Sequence, residues 1–289
     1  MTRINGKKKT NKFIPIIIIL FTVLATSAAL LIYIYTQNYI TVEHFDKSSD
    51  KLTSEDVSKV SPIIINNVVM GGVTDKGNFV KKAILDSKNR VEKGIEIDMY
   101  SLDGKLGTYE IYNVSYDEKR EITHVLPLKE KVAEEYIAIG KSENNLMSRT
   151  VKKVEVKKSD KKNAKKALGK YRLFNNTIKI HEAYETKLTK DRNVRIISIT
   201  SSGKNTFGVY SAIICIEENN AEIIKYSYVK NTKSSIRWPI YSFKFACDLN
   251  NDGKYELIIQ EARELTMKYC IMEHQKNRYK EVLGVEIKI

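Results

Sequence analysis

Phe13 to Tyr35 reads FIPIIIILFTVLATSAALLIYIY, 23 residues without a charge, and this run constrains the chain more than any other feature. At 1.5 Å per residue a helix over it reaches about 34 Å, enough to cross a hydrocarbon core of about 30 Å with some tilt. Pro15 falls in the first turn, where its missing N–H matters least. Tyr33, Tyr35 and Tyr39 fall at the far end, where amphipathic rings favour an interface. A cleaved signal peptide is the competing reading, because Ala25-Thr26-Ser27-Ala28 would suit a peptidase. The apolar run continues through Leu30, Leu31, Ile32 and Ile34, however, without the polar boundary that follows a short signal core. An uncleaved anchor over 13–35 is therefore expected.

The flanks set its direction. Arg3, Lys7, Lys8, Lys9 and Lys12 precede the span with no acid among them. Residues 36–60 carry Glu43, Asp46, Asp50, Glu55 and Asp56 against three lysines. Basic flanks stay in the cytoplasm. The expectation is a single-pass membrane protein with a cytoplasmic tail over 1–12, a stalk over 36–60 and the rest of the chain outside.

A formal net charge of +14 invites a nucleic-acid partner, but its distribution argues otherwise. The tail holds +5, and residues 151–172 hold +8 from nine lysines and Arg172 against Glu155 and Asp160, so only +1 remains elsewhere. Topology explains the first block, and no nucleic-acid footprint is expected from the second. Two readings exist for the basic 151–170 segment. One is contact with an anionic envelope polymer or lipid headgroups. The other is a solvated connector in a lysine-rich chain, which is the expectation here.

Beyond residue 60 the signals are mostly β. Ile63–Ile65 with Val68-Val69 reads as an apolar strand punctuated by Gly71-Gly72, and residues 95–100 alternate with period two before an Asp103-Gly104 turn. Strands are expected over 194–199, 209–216, 223–229, 241–247, 255–259, 267–272 and 279–287, with a hairpin turn at 217–220. Short helices are expected over 54–59 and 129–136, and Trp238 is expected as a core anchor in an extended Trp-Pro stretch. The fold class is thus mainly β and antiparallel with few short helices. It divides into an N-terminal β region over 61–150, the basic connector over 151–170 and a C-terminal β domain over 171–289.

One segment carries chemistry. Asp248-Leu249-Asn250-Asn251-Asp252-Gly253-Lys254-Tyr255-Glu256 places side-chain oxygens at positions 1, 3, 5 and 9 and a glycine at position 6. A hard cation needs six to eight oxygens around one point. Asp248, Asn250, Asp252 and Glu256 can offer side chains, and Lys254 its backbone carbonyl. The plain alternative is an Asn-Asp-Gly turn that binds nothing. An EF-hand is excluded, because Ile259 stands at position 12 and strands flank the loop. The segment resembles instead the strand–loop–strand calcium motif of FG-GAP and VCBS-type extracellular proteins, with Glu256 where aspartate is commoner. That resemblance implies a structural Ca²⁺ ion. It covers about 20 residues, and one loop in a chain of this length does not make a full propeller. The whole arrangement resembles membrane-anchored surface proteins of AT-rich Gram-positive bacteria.

Other motifs carry less. His181-Glu182-Ala183-Tyr184-Glu185 begins like a zinc-protease helix but has glutamate where the second histidine must stand. Ser201-Ser202-Gly203-Lys204 has Ser-x-x-Lys spacing without its partner triplets. Cys215, Cys247 and Cys270 are an odd number on separate strands. In a meander Cys247 and Cys270 would stand about 9.6 Å apart, too far to bridge, so buried free thiols are expected. The expected function is binding of a protein or an anionic envelope polymer, or a part in envelope assembly. The alternatives are an anchored cell-wall hydrolase using acids such as Glu96, Asp98 and Glu110, or an extracellular sensor.

Overall fold

The computed structural model describes residues 60–87, 91–119, 122–126, 135–140, 151–170, 177–202, 208–218, 220–230, 239–276 and 278–289. The expected span, the stalk through residue 59 with its short helix, and Trp238 lie outside them. So does 127–134, most of the expected 129–136 helix, while Glu135 and Tyr136 are not helical. Among the described residues no helix is long and apolar enough to cross a membrane.

The protein is mainly antiparallel β and is not a closed propeller. Among the described residues the strands form three sheets. The first contains β1 (Val60–Ile65), β2 (Val68–Thr74), β3 (Phe79–Lys81), β4 (Glu96–Ser101), β5 (Gly104–Glu110), β6 (Asn113–Asp117), β7 (Ile122–Leu126) and β8 (Ile137–Gly140). Their order is β5-β4-β8-β1-β2-β7-β6, with β3 also on β2. The second contains β9 (Lys152–Lys153), β10 (Thr177–Lys187), β11 (Asn193–Ser202), β12 (Gly208–Glu217) and β13 (Asn220–Lys230), ordered β13-β12-β11-β10-β9. The third is a meander of β14 (Ile240–Cys247), β15 (Glu256–Ala262), β16 (Thr266–Gln275) and β17 (Arg278–Lys288). Helix α1 spans Lys82–Ser87 and α2 spans Lys158–Lys170.

The meander is the middle layer. Phe245, Cys247, Ile258, Tyr269, Ile271 and Leu283 pack with Ile63, Ile65, Met70 and Ile137 of the first sheet. On the opposite face Tyr241, Phe243, Ala246, Leu257, Ile259, Cys270 and Met272 pack with Ile196, Ile213, Cys215 and Ile224 of the second. Successive strand residues point to opposite faces, so a strand buried on both reads as an unbroken apolar run. Leu257-Ile258-Ile259 is such a run. A bulge at Lys244 adjusts the alternation: Phe243 pairs with Ile259 and Phe245 with Ile258, which moves Phe245 to the face opposite Phe243.

The outer faces are covered too. Leu85 of α1 joins Ile64, Val69, Ile97 and Met99 on the far side of the first sheet. Ala164, Ala167 and Leu168 of α2 seat on Ile197, Ile199, Ala212 and Ile214 of the second. The segment expected as a basic connector is therefore largely a packed helix. Its lysines ride on a small-residue face that closes a core. Apolar residues from before and after it share the cluster between the first and third sheets, so no break between two cores falls there.

Ile63 to Val69, read as one strand, is instead the β1–β2 hairpin. Asn66 and Asn67 make its turn with φ of 45° and 70°, a left-handed pair that asparagine tolerates and hairpin twist favours. Gly71 and Gly72 lie inside β2 and do not end it.

Polar bonds tie the layers together. Lys225 on β13 reaches Glu281 Oε2 at 2.6 Å on β17 and Glu261 Oε2 at 3.4 Å on β15, and Lys268 pairs with Glu281 at 2.7 Å. Glu261 is buried but also pairs with Arg263 at 2.6 Å, so losing Lys225 removes one charge-assisted bond to each acid and leaves both acids a second cation. Lys225→Met is expected to cost roughly 2 kcal/mol, read by chemical denaturation. Leu265→Ala at a 71 % exposed position is expected to stay within about 0.5 kcal/mol of wild type.

Candidate metal centre

The loop 248–256 joins β14 to β15, and its conformation follows from its own short side chains. Asp248 Oδ1 accepts the Asp252 N–H at 3.1 Å, and Oδ2 accepts the Gly253 N–H at 2.9 Å. Asn250 Oδ1 also accepts the Asp252 N–H at 3.1 Å, and Asp252 Oδ1 accepts the Lys254 N–H at 2.8 Å. Nested bonds of this kind are the way aspartate and asparagine stabilise tight loops. Asn251 and Gly253 take φ of 58° and 82°, and glycine meets the second at no steric cost.

Three sheets meet at this loop. Leu249 enters the core toward the first sheet and Tyr255 the core toward the second. The Tyr255 N–H donates to the Leu188 carbonyl at 2.8 Å, and Lys254 forms a bridge with Thr189. Both contacts lie in the β10–β11 turn. From the other side the β2–β3 turn presses on the loop. A Cβ at Gly77 would stand 2.8 Å from the Asn250 carbonyl oxygen, so only glycine fits that approach. Asn250 Nδ2 reaches Glu273 Oε1 on β16 at 3.5 Å.

Glu256 is the unusual member. It is 1 % exposed, and its Oε2 accepts the Leu249 N–H at 2.7 Å. Burial pushes its carboxyl up to about 8, the Leu249 bond opposes that, and the charges of Asp252, Asp248 and Glu273 add to it. Asp248 is also raised, chiefly by burial. Lys254 Nζ lies 3.3 Å from Asp252 Oδ2 at the exposed rim, where such a pair is worth little.

These donors are all hard oxygens, and the buried acid beside two others is the environment a divalent cation would relieve. Asp248, Asn250, Asp252 and Glu256 would hold such an ion through side chains and Lys254 through its carbonyl, tying β14 to β15. Among the described residues no three His, Cys, Asp or Glu side chains gather as a metal-holding group. An ion here therefore depends on the Asn250 amide and the Lys254 carbonyl as well as the carboxylates.

The other singled-out residues lie apart from this loop or are engaged elsewhere. All three thiols are free and buried, and burial pushes Cys215 and Cys270 up to about 12. Cys247 and Cys270 stand two strands apart as the meander requires, and they face different cores. His181 bonds Thr200 Oγ1 at 2.9 Å, and Gly203-Lys204 lies outside the described residues. Glu96 stands opposite Glu110 on β4 and β5. Asp98 is buried, accepting from Thr108 at 2.5 Å and pairing with Lys105 at 2.9 Å. The clamp of the loop between two turns has no local signal: Gly77 and Leu188 lie 173 and 62 positions from Asn250 and could not be linked to it by spacing.

No protein-family model, curated protein or solved structure matches the chain.

The raised Glu256 carboxyl has a linkage consequence. Between about pH 4.5 and 8 the folded protein holds a proton there that the unfolded chain releases, so its contribution is full below that window and is lost as pH rises through it. In chelator, the stability of wild type minus that of Glu256→Gln is expected to decline from about pH 5 to 8. Denaturant titrations of both proteins across that range read the difference, and a flat difference would contradict the raised carboxyl.

Proposed function

We propose that the chain is a membrane-anchored extracytoplasmic β protein that binds a partner or helps organise the cell envelope, with a structural Ca²⁺ ion in the 248–256 loop. The observation that supports this reading is a loop rich in hard oxygens, with a buried Glu256 at its end, where the turns of two outer sheets clasp the middle one. An ion there offsets the repulsion of three acids and fastens a joint between layers. That is the role for which weak extracellular calcium sites suffice. The anchor rests on the uncharged 13–35 run and its basic flank. Binding is preferred to hydrolysis because Asp98, the best placed of the acids considered for catalysis, is buried and paired with Lys105.

Calcium at tenfold excess over Kd is expected to add about 1.4 kcal/mol to stability. Melting temperature should rise with millimolar Ca²⁺ and fall with chelator. Asp248→Ala and Asp252→Ala should abolish that difference. Lys254→Ala should keep it, since that position offers only its carbonyl. A melting temperature that ignores chelator, with no heat of binding by calorimetry, would reduce the site to a turn.

Orientation is tested separately. Protease added to intact cells with an accessible outer surface is expected to digest the chain beyond about residue 60. Full protection would reverse the topology.

A further inference from the structure

A cleft of about 1030 Å³ opens between α2 and the second sheet, well away in sequence from the 248–256 loop. It is lined by six basic side chains, Lys152, Lys157, Lys162, Lys166, Lys187 and Arg195, against three acids, Asp160, Glu185 and Glu218. The acids are largely committed within the fold. Asp160 is 1 % exposed. It accepts the Lys157 N–H at 2.7 Å, which caps α2, and two bonds from Arg195 at 3.1 and 2.8 Å. Glu185 takes Arg195 Nη1 at 2.7 Å. Lys157 also lies 3.6 Å from Glu185, and the lining as a whole sums to +3.

We infer that this cleft is a binding site for a linear polymer with phosphate in its backbone and no nucleobases, and that the lysines of α2 run along the polymer. Ser159, Lys162, Asn163 and Lys166 fall at positions i, i+3, i+4 and i+7, one face of the helix. Lys162 and Lys166 are about 6 Å apart along the axis, a step suited to a chain with regularly repeated charge. Phosphate is favoured over carboxylate for a specific reason. Planar carboxylates are gripped best by the guanidinium fork, and Arg195 is already filled by Asp160, Glu185 and the Glu155 carbonyl. The lysines, with the Ser159 hydroxyl and the Asn163 amide, suit tetrahedral phosphate oxygens. The wall also holds Thr186, 5 % exposed, with a hydroxyl that makes no hydrogen bond. Among the described residues no aromatic side chain lines the cleft, so those residues offer bases no stacking platform. That the polymer belongs to the envelope rests on the orientation proposed above; that the cleft binds it does not.

The test uses the full chain in zwitterionic detergent with inorganic polyphosphate as probe, read by calorimetry across a salt series. The triple variant Lys152→Gln, Lys162→Gln, Lys166→Gln is expected to bind at least tenfold more weakly. Its salt slope is expected to shrink by about 2, at roughly 0.7 per lost contact. Arginine at the same three positions should keep binding, which separates charge from folding. Removing three exposed lysines elsewhere, Lys119, Lys276 and Lys288, should change affinity less than about twofold. Equal weakening by both triple variants would overturn the site, leaving only net charge. So would a cleft-dependent preference for single-stranded oligonucleotide, for polyglutamate or for phosphatidylglycerol vesicles. Protease results that reverse the topology would move the polymer to the other side of the membrane and leave these affinities unchanged.

Discussion

A four-stranded meander buried on both faces is the constraint on which the other layers depend. An isolated antiparallel sheet can turn one side to water, but the 240–288 meander presents Ile258, Tyr269 and Ile271 on one side and Leu257, Ile259 and Cys270 on the other. Neither apolar face can be left exposed without a large loss, since fully burying one such side chain is worth about 2 kcal/mol. The first and second sheets therefore serve as lids for the third. Each lid in turn has an outer face that needs cover, which Leu85 of α1 and Ala164, Ala167 and Leu168 of α2 help supply.

Layering of this kind makes inter-layer joints the places where polar chemistry concentrates. The Lys225–Glu261–Glu281 cluster pins the second sheet to the third. Asn66 Nδ2 donates to Tyr269 Oη at 3.1 Å between the first and third, and Ser198 donates to the Tyr241 carbonyl between the second and third. The 248–256 loop is the one described joint touched by turns from both lids. Its acids are thus held by more than its own hairpin, and Glu256 is kept in an apolar wall where ionisation is costly. A different economy governs the α2 cleft. There the buried acid Asp160 is satisfied by Arg195, and the lining as a whole stays basic.

Much of this was legible locally. The order and extents of the C-terminal strands follow from apolar runs separated by turn residues, and the meander places Cys247 and Cys270 two strands apart as strand spacing requires. The loop's internal bonds follow from aspartate and asparagine at alternate positions with glycine at the sixth. Three elements depart from the local signals for identifiable reasons: in β10 polar and charged residues at most alternate positions hide the strand. Asn66-Asn67 lacks glycine, so local signals mark Gly71-Gly72 rather than this paired left-handed turn. In α2 the lysines masked an Ala164-Ala167-Leu168 stripe that is narrow because small residues suffice where a helix lies close to a sheet.

By itself the sequence determined the strand periods, the curl of the 248–256 loop, the thiols' separation and the apolar 13–35 segment, because each depends on residues a few positions apart or on strand geometry alone. Only the tertiary structure decided that the meander is the middle layer, that Gly77 and Leu188 close on the loop, that Glu256 is buried among acids, and that Asp160 meets Arg195 beneath the lysine row. The layering, the clasp on the loop and the Asp160–Arg195 pair depend on contacts between residues 35 to 203 positions apart in the chain. Such contacts are selected by shared burial and charge compensation, which no local spacing encodes.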